Sequence, residues 1–214
     1  LGADTARAYL MFIGPWESGG PWSSRGIEGA HRFLQRVWDL VTVKPAYFAQ
    51  PATESEISAL RRITHKTIRK VTDDLEAFRF NTMIAALMEF NNYLLKAKET
   101  PILQSDAWHE AVRTLILLLA PTAPHLAEEL WQRVGLKYSI HTQPWPKWDE
   151  AAIAEEMVTL VVQVNGKVRE RLSVPVEISE KEAQELASSS PKVQRYIANK
   201  NVIKVIYVPG ELMN

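Results

Sequence analysis

Arg25, Arg32 and Arg36 lie seven and eleven residues apart from the first, with Gly29 in the gap four residues on. On a helix these offsets share one face. A guanidinium stripe interrupted by glycine can lie against a phosphate backbone, the missing Cβ permitting close approach. The competing reading is a solvated face, with Arg32 and Arg36 paired to Glu28 and Asp39 of the same helix. A denser run follows, in which Arg61, Arg62, His65, Lys66, Arg69 and Lys70 bring five fixed positive charges and no acid within ten residues. Arg62, Lys66, Arg69 and Lys70 could grip RNA there, or simply face water. A third candidate lies further on, where Gln163, Arg169 and Arg171 share the polar face of an alternating segment with Asn165, Gly166 and Lys167 at its tip. Exposed amides and a lysine on a protruding turn suit RNA sugar, phosphate or a flipped base, and equally make a soluble turn.

No cluster promises bond-breaking chemistry. The five histidines are scattered, and His125 with Glu128 and Glu129 lacks the second histidine of a helical zinc motif. Gly166-Lys167 lacks the earlier glycine and the following Ser or Thr of a phosphate loop. Asp73, Asp74 and Glu76 read as helix surface. The expectation is no catalytic residue, no metal and no cofactor in this chain. Without cysteine there are no disulfides or thiolate sites, which suits a reducing compartment. The 25 basic and 25 acidic residues cancel, so nucleic-acid binding would rest on local patches. The longest apolar run, Leu115 to Ala120, is far below the ~20 residues that span a bilayer, and no leader opens the chain, so a cytoplasmic protein is expected. The first residues, Leu1 to Leu10, already read as helix with no initiating Met, which predicts a piece of a longer protein.

The elements that must hold these residues follow from periodicity. Ile27, Ala30, Phe33, Leu34, Val37, Trp38 and Val41 mark one buried helix face, stopped by Pro45. Thr53 and Glu56 predict a capping box ahead of a helix reaching Leu75. Asn81 is expected to cap a third helix through Met83, Ile84, Leu87, Met88, Phe90 and Leu94, broken at Thr100-Pro101. Ser105 caps a fourth, to Leu119, and Pro124 opens a fifth. His141 to Trp148, with two prolines, is expected to be extended chain pinned over the helices by Trp145 and Trp148.

At Met157 the period changes from 3.6 to 2, predicting a hairpin across Asn165-Gly166. A two-residue turn would place Leu160 opposite Arg171. A three-residue loop over Asn165 to Lys167 keeps one face apolar by pairing Val164 with Val168 and Leu160 with Leu172, and is preferred. Helices from Ser179 to Ala187 and Pro191 to Asn199 precede Val202 to Val208, which reads as a strand buried on both faces. The fold class expected is α+β, predominantly α. An antiparallel helix bundle over 23–148 follows a leading segment and loop (1–22). A linker (149–156), whose residues also suit a short helix, leads to a small α/β domain (157–214) with a hairpin and two short helices.

Several stretches resemble class I aminoacyl-tRNA synthetases. The corner Ala120-Pro121-Thr122-Ala123-Pro124-His125, followed by Leu126-Ala127-Glu128-Glu129-Leu130-Trp131, is similar to a helix junction of the leucine, valine and isoleucine enzymes. Gly26 to Trp38, Phe78 to Phe90 and His141 to Trp148 resemble the bacterial leucyl-tRNA synthetases. So do Thr159 to Arg169 and Lys204 to Gly210, from a C-terminal domain that the valyl and isoleucyl relatives lack. The resemblance covers essentially the whole chain. It implies that 1–22 ends a stem-contact segment, that the bundle is of the anticodon-binding type and meets the tRNA body, and that the small domain docks near the tRNA elbow and long variable arm. The expected partners are tRNA(Leu) and the rest of the synthetase. The two class I signatures, His-Ile-Gly-His and Lys-Met-Ser-Lys-Ser, are absent, so ATP and leucine would bind a core outside this chain. The C-terminus at Asn214 falls short of the apolar residues usual in the family, which predicts a clipped last strand. The rival from another class is an interaction subunit docking a separate catalytic chain.

Overall fold

The computed structural model describes residues 2–43, 47–154, 157–175, 178–198, 202, 204–208 and 211–214. The chain divides into two compact units, Leu1–Ile153 and Ala154–Asn214. The first is helical: α1 (Ala3–Phe12), α2 (Ser24–Val41), α3 (Glu54–Glu76), α4 (Phe80–Ala97), α5 (Asp106–Leu119), α6 (Pro124–Arg133) and the short α7 (Glu150–Ile153). α3 packs on α4 and α5, α2 on α4 and α6, and α1 on α2 and α4. Their apolar stripes meet in one core in which Leu87, Phe90, Leu115 and Trp131 are essentially without exposed surface. Each such side chain contributes about 1.5–3 kcal/mol through burial.

Local signals set most of the helix ends. Thr53 and Glu56 form the complete capping box of α3, with Thr53 N–H donating to Glu56 Oε2 at 2.7 Å. Ser105 Oγ accepts from Trp108 N–H at 3.2 Å to open α5, and Pro124 occupies the first turn of α6. Pro45, expected to stop α2, lies outside the described residues. Asn81 is not a cap. α4 starts at Phe80 with Arg79 at the N-cap position and no side-chain cap. The turn is instead tied by Asp74: its carbonyl accepts from Arg79 N–H at 2.8 Å and its carboxylate accepts from Arg79 Nε at 2.8 Å.

The corner between α5 and α6 is closed by α1. Arg7 Nη2 donates to the Pro121 carbonyl at 2.9 Å, and its Nε to that of Thr122 at 3.3 Å. Asp4 Oδ2 accepts from Leu126 N–H at 2.7 Å and so supplies the cap that Ala123 cannot. The 141–148 stretch is not extended throughout, because Ile140–Thr142 forms a 3-10 turn whose N-cap is Ser139. Beyond it Trp145 Nε1 donates to Thr72 Oγ1 of α3 at 2.8 Å, and both Trp145 and Trp148 pack on the core. In the 149–156 stretch, α7 packs on α3 and buries Ile153; Glu155 and Glu156 lie outside the described residues.

In the second unit β1 (Met157–Val164), β2 (Lys167–Pro175), β3 (Tyr207–Val208) and β4 (Leu212–Met213) form a sheet ordered β2-β1-β4-β3. α8 (Glu180–Ser189) and α9 (Pro191–Ile197) contribute Ala183, Ala187 and Val193 to its core beside Leu160 and Val174. The three-residue loop is corrected. Asn165 and Gly166, at φ 54° and 73°, make a two-residue turn with Val164 opposite Lys167, yet Leu160 still faces Leu172. A bulge reconciles the two, since Val162 pairs with Glu170 and Gln163 with Val168, leaving Arg169 as the extra residue.

The 202–208 run is also not buried on both faces. β3 is the edge strand, Val205 and Tyr207 pack on the core, and Val202, Ile206 and Val208 are exposed. Ile203 and the following Pro209 and Gly210 lie outside the described residues, as does Asn199.

Candidate nucleic-acid interface

α2 presents its three arginines as the periodicity requires. Its inward face buries Ala30, Phe33, Leu34, Val37 and Leu40, which leaves Arg25, Arg32 and Arg36 exposed on the other side. None of the three makes an ion pair among the described residues, and the pairing of Arg32 and Arg36 with Glu28 and Asp39 is not formed. A Cβ built on Gly29 would meet nothing within 4 Å, so the stripe is open at its centre.

The α3 face is different, because other elements bring acids to it. Arg61 lies 3.9 Å from Glu110 of α5, and Arg69 lies 3.3 Å from Glu150 of α7. His65 accepts Asp149 N–H on Nδ1 at 3.1 Å, which leaves its Nε2 proton toward Glu110 at 3.4 Å. Lys70 pairs with Asp74. Arg62 and Lys66 also have partners, and Arg62 acts electrostatically on the Tyr93 phenol. The run that is densest in sequence is therefore largely neutralised in space.

Asp74 does not lie on the helix surface. It has no exposed area, whereas Asp73 and Glu76 are exposed. His125 pairs with Asp4 at 2.8 Å, away from any zinc-like arrangement with Glu128 and Glu129. Among the described residues no group of three or more His, Asp or Glu side chains could hold a metal ion. Glu128 instead clasps the 3-10 turn, accepting from Ser139 Oγ and from Ile140 N–H at 3.1 Å. Burial pushes its carboxyl up, but the hydrogen bonds from Ser139, Gln132 and Ile140 and the neighbouring His141 outweigh this and hold it below the usual range.

At the hairpin tip Asn165, Gly166 and Lys167 are all exposed, and Gly166 N–H donates to Asn214 Oδ1 at 3.0 Å. Arg171 pairs with Val161, two residues before Gln163 on β1, so Gln163 and Arg171 share one face of the sheet. Arg169 does not join them. The bulge turns it under α9, with its guanidinium 3.8 Å from the Tyr196 ring centroid and its Nε buried without a hydrogen-bond partner.

One constellation escaped the sequence reading. A notch between α2 and α4 is lined by Gly29, Arg32 and Arg36 on one side and by Asn91 and Asn92 on the other. The signal was present, since Asn91 interrupts the apolar stripe Ile84, Leu87, Leu94 at helical spacing.

Over residues 58–184 the chain matches the family described as the anticodon-binding domain of tRNA ligase, and it belongs to that family. Along its whole length it is similar to leucine–tRNA ligases. Identity is 50% over 214 residues to the enzyme of Dehalococcoides mccartyi strain BAV1, covering 100% of this chain and 26% of the relative. It is 49% over 213 residues to that of Rubrobacter xylanophilus, covering 100% and 25%. The fold is similar to LeuRS of Agrobacterium radiobacter K84 in a ternary complex with tRNA and LeuAMS. There the TM-score is 0.76 at 30% identity, over 100% of this chain and 28% of that one. The chain thus spans about a quarter of the length of the proteins it resembles. None of the helices described is long and apolar enough to cross a membrane.

Proposed function

We propose that this chain is the tRNA-binding C-terminal part of a leucyl-tRNA synthetase, which grips tRNA(Leu) and orients its acceptor end for a catalytic core carried elsewhere in the protein. ATP and leucine bind that core, and the setting is the cytoplasm. The observation that carries the reading is the α2 stripe: three exposed arginines with no ion-pair partner among the described residues around an open glycine, the arrangement a phosphate backbone fits. The hairpin adds Asn165 and Lys167 at its tip and the exposed Arg171 further along β2, groups that suit RNA sugar and phosphate.

The test is a salt titration of the chain against a leucine tRNA and a tRNA lacking the long variable arm. Binding to the leucine tRNA that weakens steeply with salt and exceeds binding to the control supports the whole reading. Equal binding to both confines the chain to phosphate grip, and no binding at low salt removes the proposal.

A second reading, docking on a separate catalytic chain, is favoured by the exposed Trp16 and Phe78. A Trp16→Ser, Phe78→Ser variant that keeps tRNA affinity but loses association with a leucyl catalytic core would establish that surface as a docking site.

A further inference from the structure

The notch between α2 and α4 has a volume of about 190 Å³. That is many times the ~10–15 Å³ that one ordered water needs. Its charged lining residues are Arg32 and Arg36, and no acid reaches it. On its α4 side stands Asn91, 1% exposed, with neither its amide nitrogen nor its carbonyl oxygen hydrogen-bonded. Orphaned buried amides are rare in folded proteins because each costs its full desolvation. Its donor and acceptor lie side by side beneath a notch entered between Arg32 and Arg36, which have no ion-pair partner among the described residues, and a glycine that leaves the mouth open.

We infer that the notch receives one unstacked nucleotide of the bound RNA, its phosphate on Arg32 and Arg36 and its base edge at Asn91. An asparagine side chain matches the adjacent donor and acceptor of a base edge, and proteins read RNA chiefly at bases splayed out of the stack, often against arginine planes. Gly29 keeps the mouth clear in this arrangement, since a side chain there would project across it. Asn92, exposed on the rim, is within the same lining. The inference rests on the proposal that the chain binds tRNA, and adds the residue that reads a base and the place where the base sits.

The experiment uses the whole chain, a leucine tRNA and two variants. Asn91→Leu keeps approximate volume and removes both polar atoms. Gly29→Leu closes the mouth without touching Asn91 and replaces a poor helix former with a good one. Both should melt at or above the parent temperature and bind tRNA about tenfold more weakly. The salt slope should stay unchanged in Asn91→Leu, which loses no phosphate contact, and flatten in Gly29→Leu, which keeps the nucleotide and its phosphate out. Each should also expose, to a base-edge-modifying chemical probe, one tRNA nucleotide that the parent protects. Arg36→Gln should weaken binding with a flatter slope. Parent-level affinity in both leucine variants, or an unaltered protection pattern, overturns the notch while leaving tRNA binding intact. A parent chain that binds no tRNA overturns the proposed function and this inference together.

Discussion

Asp74 is a carboxylate without exposed surface at the end of a helix whose sequence there is otherwise polar. Burial pushes its carboxyl up, the largest single effect, yet hydrogen bonds from Lys70, Arg79 and Thr82 and the Lys70 charge more than reverse it, leaving it below the usual range. A folded value below the unfolded one, roughly 3.9, contributes stability that is present above about pH 5 and lost as pH falls through the folded value. Asp74→Asn should therefore cost about 2 kcal/mol in urea unfolding at neutral pH, the scale of hydrogen bonds to charged groups, and progressively less as the solution is acidified. A cost that is constant from pH 7 to 3 would show that the carboxylate charge does not hold the turn. Gly166 gives a second case. At φ 73° it adopts a conformation that a β-branched residue reaches only with strain. Gly166→Val should destabilise the hairpin by about 1–2 kcal/mol, read as faster amide exchange across β1 and β2, whereas Asn165→Gly should be nearly neutral. Equal exchange in both variants would contradict the turn.

At the scale of elements, α1 acts as a clamp on the α5–α6 corner. Asp4→Ala removes the acceptor for Leu126 N–H at a helix start that has no cap of its own. It should cost about 1 kcal/mol and raise exchange at that amide, and an unchanged rate at Leu126 would show the contact to be idle. Elements whose ends are written locally were legible in the sequence: Thr53 with Glu56, Ser105 and Pro124 need only neighbours three residues away. Features decided by distant chain were not. The register of β1 and β2 satisfies both the Asn-Gly turn and the Leu160–Leu172 pairing through a bulge at Arg169, a choice no local rule announces. The basic face of α3 looks free until Glu110 and Glu150 arrive from other helices. Asn81 looked like a cap because its type is right, but Asp74 already ties the turn that precedes it. The 202–208 run is apolar enough for a central strand, yet its place at the sheet edge leaves one face open.

For the molecule as a whole, net charge is zero, so the proposed grip on RNA depends on which basic side chains remain uncommitted. Sequence density favours α3, whereas among the described residues the α2 arginines have no ion-pair partner and Arg61 and Arg69 are engaged with acids. Arg25, Arg32 and Arg36 were visible as a stripe, but that they lack partners depends on what the other helices do not bring. The deciding measurement is the salt dependence of tRNA(Leu) affinity for two matched double variants, Arg32→Gln with Arg36→Gln and Arg61→Gln with Arg69→Gln. Each removes two exposed positive charges, and exposed pairs such as those of Arg61 and Arg69 contribute little to folding. If α2 holds the phosphates, the first variant lowers the slope of log affinity against log salt by about 1.4–1.8, at roughly 0.7–0.9 per contact, and the second changes it little. A flattened slope in the second variant with a parental slope in the first would place the grip on α3 and contradict the account.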